Sequence, residues 1–223
     1  MTEPGAKGPA RPRMGVEKSY DRLSRWYDLL AEASKKGPRL LGLNKLAARP
    51  GEVVLELGTG TGHGLVALAQ LVGPAGTVVG IDVSRGMQEV ARARVTETGL
   101  LDRVRLIRAD ATRVPILDGQ LDAVFMSFVL ELFDAREIQA VLGECRRVLR
   151  QSGRICVVSL TQVERPGLMY RVYEWAHRLA PAWIDCRPID VQDALRLAGY
   201  DRVHAACVST WGLPVAIVVA KKS

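Results

Sequence analysis

A chain of 223 residues, 48% hydrophobic and 25% charged, has the composition of an ordinary globular protein and the length for one large core. No apolar run reaches the roughly 18–20 residues of a membrane-spanning helix, and no apolar h-region follows the basic N-terminus, so a cytoplasmic protein without a secretory signal is expected. The net charge of +7 invites a nucleic-acid reading, but residues 1–13 carry +2 of it and Lys221-Lys222 another +2, leaving a mildly basic body with no Lys/Arg run.

Residues 1–15, rich in Pro, Gly and Arg, read as a disordered basic tail ahead of a single domain over 16–223. Val16–Ser34 reads as a helix carrying Tyr20, Trp26 and Tyr27. Gly37-Pro38 is expected to break it, with a second short helix running to Ala48. Glu52–Leu57 is a β-rich run that enters LELGTGTGHG, where four glycines occupy seven positions. Leu65–Leu71 continues as the apolar face of a helix that Gly73-Pro74 ends.

The alternation continues with a strand at Thr77–Ile81, a helix at Ser84–Thr98, and strands at Val104–Ile107 and Leu121–Met126. Ala135–Arg150 places Ile138, Val141, Leu142, Cys145, Val148 and Leu149 at helical spacing, and Gly153 turns it into the strand Arg154–Leu160. Val203–Val208 and Pro214–Ala220 are two strands around Trp211-Gly212, too close together for a crossover. The pattern predicts an α/β fold: seven strands in a mostly parallel sheet, the seventh antiparallel, with helices on both faces. Cys145, Cys156 and Cys207 sit among apolar neighbours as small core residues, whereas Cys186 lies in a polar loop. No cysteine spacing suits a metal, so no metal site is expected.

The glycines follow the first strand, whose carboxyl end faces the crevice where such sheets bind ligands. The dinucleotide fingerprint G-x-G-x-x-G fails in both registers, because His63 and Leu65 stand where its last glycine belongs. What the chain has is E-x-G-x-G-x-G: Glu56, Gly58, Gly60 and Gly62. Alone, that motif leaves a bare strand-to-helix turn open. Asp82, at the second strand end, suits a ribose, and Asp110, after the third, suits an adenine amino group. Met87, one turn into the next helix, offers an apolar surface to a base. Together they describe an adenosine ligand with a polar, amine-bearing tail.

The ordered set VVLELGTGTGHG, GIDVSRGM, IRADATRVPILDGQLDAVFMSFVLELF and VLRQSGRICVVSL resembles the class I S-adenosylmethionine-dependent methyltransferases. YDRLSRWYDLLA resembles the lid helix of their ubiquinone/menaquinone and phospholipid methyltransferase group. The resemblance implies a Rossmann-like sheet and S-adenosyl-L-methionine as cofactor. It implies that Gly58, Gly60 and Gly62 admit the methionine part, with Glu56 near its amino group. Asp82 would hold the ribose, Met87 would cover the adenine, Asp110 and the Ala111 backbone would read its edge, and Ser127 would join the cofactor residues. It also implies a lid helix over 16–36, with Tyr20 or Tyr27 folded over the cofactor; plain packing of that helix face is the other reading.

A sulfonium methyl group is already activated, so aligning the acceptor and excluding water supplies most of the rate, and no nucleophile or triad is needed. The chain has MSFVLELF after the fourth strand, without the Asn/Asp-Pro-Pro-aromatic turn of enzymes that methylate base amino groups. No nucleic-acid partner is expected. The substrate-side insertion, 161–190, places Leu168, Val172, Trp175 and Leu179 on one helical stripe. That stripe reads as a core-facing helix, as an apolar lid over a hydrophobic acceptor, or as a face resting on a membrane surface. His177 and Glu131 are candidate bases, and Asp185 and Arg187 are candidate contacts for a polar head group. The expectation is methyl transfer to a small-molecule or lipid-like acceptor, such as a quinone precursor or a phospholipid head group. A cofactor-binding module without turnover and a nucleic-acid methyltransferase are the alternatives.

Overall fold

Four strands carrying Val, Ile and Leu open the parallel part of the sheet, which a fifth strand completes, in a computed structural model that describes residues 34–161, 188–210 and 212–223. They are β1 (Val53–Leu57), β2 (Thr77–Asp82), β3 (Val104–Arg108) and β4 (Leu121–Ser127). Strands β1 and β4 read as near-continuous apolar runs because both of their faces are covered. The helices of the described residues are α1 (34–46), α2 (His63–Val72), α3 (Arg85–Glu97), α4 (Ala135–Val148) and α5 (Val191–Leu197). Strands β5 (Leu149–Leu160), β6 (Tyr200–Thr210) and β7 (Leu213–Lys222) complete the order β3-β2-β1-β4-β5-β7-β6. Strand β7 runs antiparallel to both β5 and β6, and the other pairings are parallel, as the sequence predicts.

Alternating residues of each strand feed two separate cores. Leu55, Leu57, Val124, Met126, Ile155 and Val157 meet the apolar stripe of α4 and the buried residues of α5. Val54, Ala123, Phe125, Cys156 and Val158 meet α1, α2 and α3 on the opposite face. The α4 stripe is Ile138, Val141, Leu142, Cys145 and Val148, and its start is fixed by a capping box between Asp134 and Glu137.

Helix α1 runs through Gly37-Pro38 instead of breaking there. Proline has no amide to donate four residues back, which strips the Ser34 carbonyl of its helical partner. The Thr210 hydroxyl on β6 donates to that carbonyl at 2.8 Å and replaces the lost bond. At its other end α1 is stapled to the sheet by Arg154. The Arg154 Nε donates to the Leu46 carbonyl at 2.6 Å and its Nη2 to the Ala47 carbonyl at 2.7 Å. The guanidinium also grips both Glu52 oxygens, at 3.0 and 2.7 Å. Burial works against the Glu52 charge, but the Arg154 bonds and the Arg49 amide hold its carboxyl below the usual value.

Two further expectations are corrected. Strand β5 begins at Leu149, not Arg154: Leu149 pairs with Leu121 and Arg154 with Ala123, so residues 150–153 bulge, with Ser152 at φ 64°. Cys145 and Cys156 are buried as expected, but Cys207 is exposed, because β6 is the edge strand and pairs only with β7 among the described residues.

Candidate functional site

The strand order reverses between β1 and β4, so a crevice opens beyond their carboxyl ends. Four carboxylates reach this edge: Glu56 at the end of β1, Asp82 at the end of β2, Asp110 after β3 and Glu131 after β4. The glycine loop that follows β1 lines the crevice. Gly58, at φ 72°, lies so close to Val129 that any Cβ would collide with its side chain. At Gly60, by contrast, an added Cβ would meet nothing within 4 Å. Gly62 is the N-cap of α2, and its Cβ position is filled by Ala91 of α3.

Asp82 ties two loops together. Its Oδ2 accepts from the Gly60 amide at 2.8 Å and its Oδ1 from the Ser84 amide at 2.9 Å. Ser84 in turn caps α3 by accepting from the Met87 amide at 3.2 Å. Met87 is buried yet belongs to neither apolar cluster. Asp110 closes a side-chain turn, its Oδ1 accepting from the Thr112 amide at 2.9 Å and hydroxyl at 2.7 Å, with Ala111 half-buried between them.

The loop beyond Asp110 is held from α4 by residues that sequence reasoning missed. Arg147 donates to the carbonyls of Val114 at 2.9 Å and Ile116 at 2.8 Å, and Glu144 accepts from the Val114 amide at 2.8 Å. Both sit on the polar side of α4, and only the strand order reveals that the loop returns there.

Glu56 is 3% exposed, and its carboxyl group rests on the backbone of Gly64, where no side chain fits. Its Oε2 has no hydrogen-bond partner among the described residues. Burial raises its pKa, Arg39 on α1 opposes the rise and Asp82 adds to it, and the net effect is a carboxyl pushed up to about 8. A buried carboxyl with an unpartnered oxygen is costly unless a cation or donor arrives to meet it. An ammonium-bearing tail threaded past Gly60 fits this arrangement.

The segment after β4 forms the opposite wall. Ser127 ends the strand half-buried, and Phe128 sits at φ 57°, a left-handed conformation uncommon for a bulky side chain. Its amide donates to the Val158 carbonyl at 2.8 Å, and the Lys35 ammonium of α1 lies 5.3 Å from its ring centroid. Glu131, 1% exposed, accepts from the Ser159 hydroxyl at 2.8 Å. Ser159 was not foreseen; its only signal is a polar residue inside the apolar run of β5. Tyr20, Tyr27, His177, Asp185 and Arg187 lie outside the described residues, as do most of the segments expected to form a lid helix, 16–36, and a substrate-side insertion, 161–190. Among the described residues no group of three or more His, Cys, Asp or Glu is placed to hold a metal ion. No helix among them is long and apolar enough to cross a membrane.

Residues 54–153 match the family described as "Methyltransferase domain". The chain is 30% identical over 167 residues to the ubiquinone/menaquinone biosynthesis C-methyltransferase of Hahella chejuensis, covering 72% of this chain and 66% of that protein. It is 30% identical over 159 residues to the demethylmenaquinone methyltransferase of Lactobacillus johnsonii, covering 70% of this chain and 64% of that protein. The chain thus spans just under two thirds of these relatives. A solved S-adenosylmethionine-dependent methyltransferase from Aquifex aeolicus superimposes with a TM-score of 0.66 at 23% identity, over 91% of this chain and 98% of that one. The [4+2]-cyclase SpnF superimposes with a TM-score of 0.76 at 20% identity, over 96% of this chain and 97% of that one. At such identities the solved structures speak for the fold alone, and the fold hosts more than one reaction.

Proposed function

The chain belongs to the class I S-adenosylmethionine-dependent methyltransferases, and from that premise we propose that it transfers a methyl group from this cofactor to a small, quinone-like acceptor. The observation that carries the reading is Glu56: a buried carboxyl with an unpartnered oxygen, seated against Gly64 at the end of a glycine loop that is open at Gly60. The sulfonium cofactor supplies an electrophilic methyl group when bound.

The chain's own residues then have four tasks. Glu56 receives the ammonium of the amino-acid tail. Asp82, fixed by the Gly60 and Ser84 amides, presents its carboxylate to the ribose hydroxyls. Met87 covers the adenine, and Asp110 with the Ala111 backbone reads its edge on a loop that Arg147 holds in place. Ser127 joins the cofactor residues, and the turn behind it closes the acceptor side, where proximity and exclusion of water promote transfer. Tyr20 or Tyr27 of the lid helix closes over the cofactor, and His177, Asp185 and Arg187 of the insertion contact the acceptor.

The relatives named for menaquinone and ubiquinone biosynthesis favour a quinone-like acceptor over a phospholipid head group. Titration calorimetry with S-adenosylmethionine and with its demethylated product tests the cofactor assignment. Binding of both is expected, weakened at least tenfold by Asp82→Ala, the scale for hydrogen bonds to a charged group. Failure of either ligand to bind at millimolar concentration would overturn the reading, and binding without methyl transfer to any quinol would leave a cofactor-binding module.

A further inference from the structure

Glu131 and Ser159 form a buried polar pair that cofactor binding does not account for. Glu131 lies in the short 3-10 turn Leu130–Leu132 after β4, and its side chain crosses to the tip of β5. There its Oε2 accepts from the Ser159 hydroxyl at 2.8 Å and its Oε1 from the Leu160 amide at a long 3.4 Å. The strand register brings the two together, since Ser127 pairs with Val158 one residue before Ser159. The turn packs directly on the donor loop: Val129, two residues before Glu131, fills the space behind Gly58. The pair therefore sits at the carboxyl edge, on the side of β4 away from the ribose residue Asp82.

Withdrawing a carboxylate from water behind two neutral donors is costly, and an apolar side chain would fill the site at lower cost. Burial favours the protonated form; the Glu131 backbone, Ser159 and Leu160 amide favour the charged one, as does Lys35 of α1, the charged residue acting on it. Burial outweighs them and holds the carboxyl above its ordinary value, and a raised carboxyl at the carboxyl edge of the sheet suits general-base work.

We propose that Glu131, positioned by Ser159, is the base that takes the hydroxyl proton of a phenolic or hydroquinone acceptor during methyl transfer; this rests on the methyltransferase reading above. As the ring carbon forms its bond to the methyl group, the methyl–sulfur bond breaks and its electron pair stays on sulfur as a neutral thioether. The hydroxyl proton moves to the ionised Glu131 carboxylate, so the positive charge of the sulfonium and the negative charge of the carboxylate cancel. Loss of the ring C–H proton to water and return of the Glu131 proton to the carbonyl oxygen then restore the aromatic ring and the hydroxyl and leave Glu131 ionised.

The test is single-turnover transfer from radiolabelled S-adenosylmethionine to a reduced short-chain demethylmenaquinone, measured from pH 5.5 to 9 at saturating cofactor. The wild-type rate should rise with pH along an acidic limb and then level off. Glu131→Gln should lower the plateau roughly 100-fold or more, the lower end for general-base catalysis. It should also abolish the limb and leave cofactor affinity within twofold. Ser159→Ala keeps the carboxyl but removes a bond that favours its charged form, so the limb should move to higher pH with the plateau retained. If Glu131→Gln does not fold, Ser159→Ala decides alone. A Glu131→Gln rate within threefold of wild type, or a limb unmoved in Ser159→Ala, overturns the proposal. A wild type that binds cofactor yet does not methylate the quinol overturns it through the acceptor class, and a wild type that binds no cofactor overturns the methyltransferase reading as well.

Discussion

If Glu56 receives the cofactor's ammonium as proposed, cofactor binding depends on pH with a sign and slope fixed by its burial. Its carboxyl, pushed up to about 8 by burial, is mostly protonated at pH 7 in the ligand-free protein. Receiving an ammonium requires the ionised form, and one pKa unit corresponds to about 1.4 kcal/mol, or tenfold in affinity. Affinity should therefore rise roughly tenfold per pH unit from pH 6 to pH 7 and flatten near pH 8. Above that it should fall again, because an α-amino group with an ordinary pKa of about 7.7–8.0 loses the proton that Glu56 recognises. Calorimetry in buffers of different ionisation enthalpy should register release of close to one proton per cofactor near pH 6.5. Glu56→Gln should remove the acidic slope and weaken binding at pH 8 by about 1.5–3 kcal/mol, the worth of a charged hydrogen bond. Removing the Arg39 charge with Arg39→Met should shift the inflection to higher pH, since Arg39 opposes the rise. An affinity that is flat between pH 6 and 8, with no proton released, would refute this account of Glu56.

Glu52→Gln should destabilise the fold by about 3 kcal/mol in urea unfolding, because it leaves the Arg154 guanidinium buried without its counter-charge. The same pair has a signed pH dependence. The folded-state pKa of Glu52 lies below its ordinary 4.5, so its contribution is full above pH 4.5 and is lost as pH falls through the lowered value. Glu52→Gln should show a smaller stability loss than wild type between pH 5 and pH 3. Arg147→Met removes the donors that hold Val114 and Ile116, so it should cost about 1–3 kcal/mol of stability and weaken cofactor binding severalfold; equal affinity in calorimetry would dissociate the loop from adenine recognition. Gly58→Ala should impair folding more than Gly60→Ala, as seen in thermal melts, since its Cβ collides with Val129 whereas that of Gly60 meets open space.

Strands β1, β2 and β3 were legible because glycine or aspartate closes each at or just past its end, and that same punctuation placed Glu56, Asp82 and Asp110 at strand ends. What stayed illegible depends on partners remote in sequence. The helix through Gly37-Pro38 survives because the Thr210 hydroxyl, 176 positions away, supplies the hydrogen bond that proline removes. Cys207 looks like a core residue in its local run, but only the strand order shows that β6 is an edge. Glu131 stood out as a lone acid; its partner Ser159 emerged only from the β4–β5 register. The Arg147 clamp was hidden for the same reason, being an ordinary charged position on α4 until the loop after β3 is folded back upon it.

Methyl transfer from S-adenosylmethionine at this site is what the proposed function stands on. The most direct measurement is incubation of the protein with radiolabelled S-adenosylmethionine and a reduced short-chain demethylmenaquinone, followed by extraction of the quinol into an organic phase. Label is expected in the extracted quinol, matched one to one by the demethylated cofactor and lost in Asp82→Ala at limiting cofactor. Label confined to unreacted cofactor, with no demethylated product formed, would contradict it.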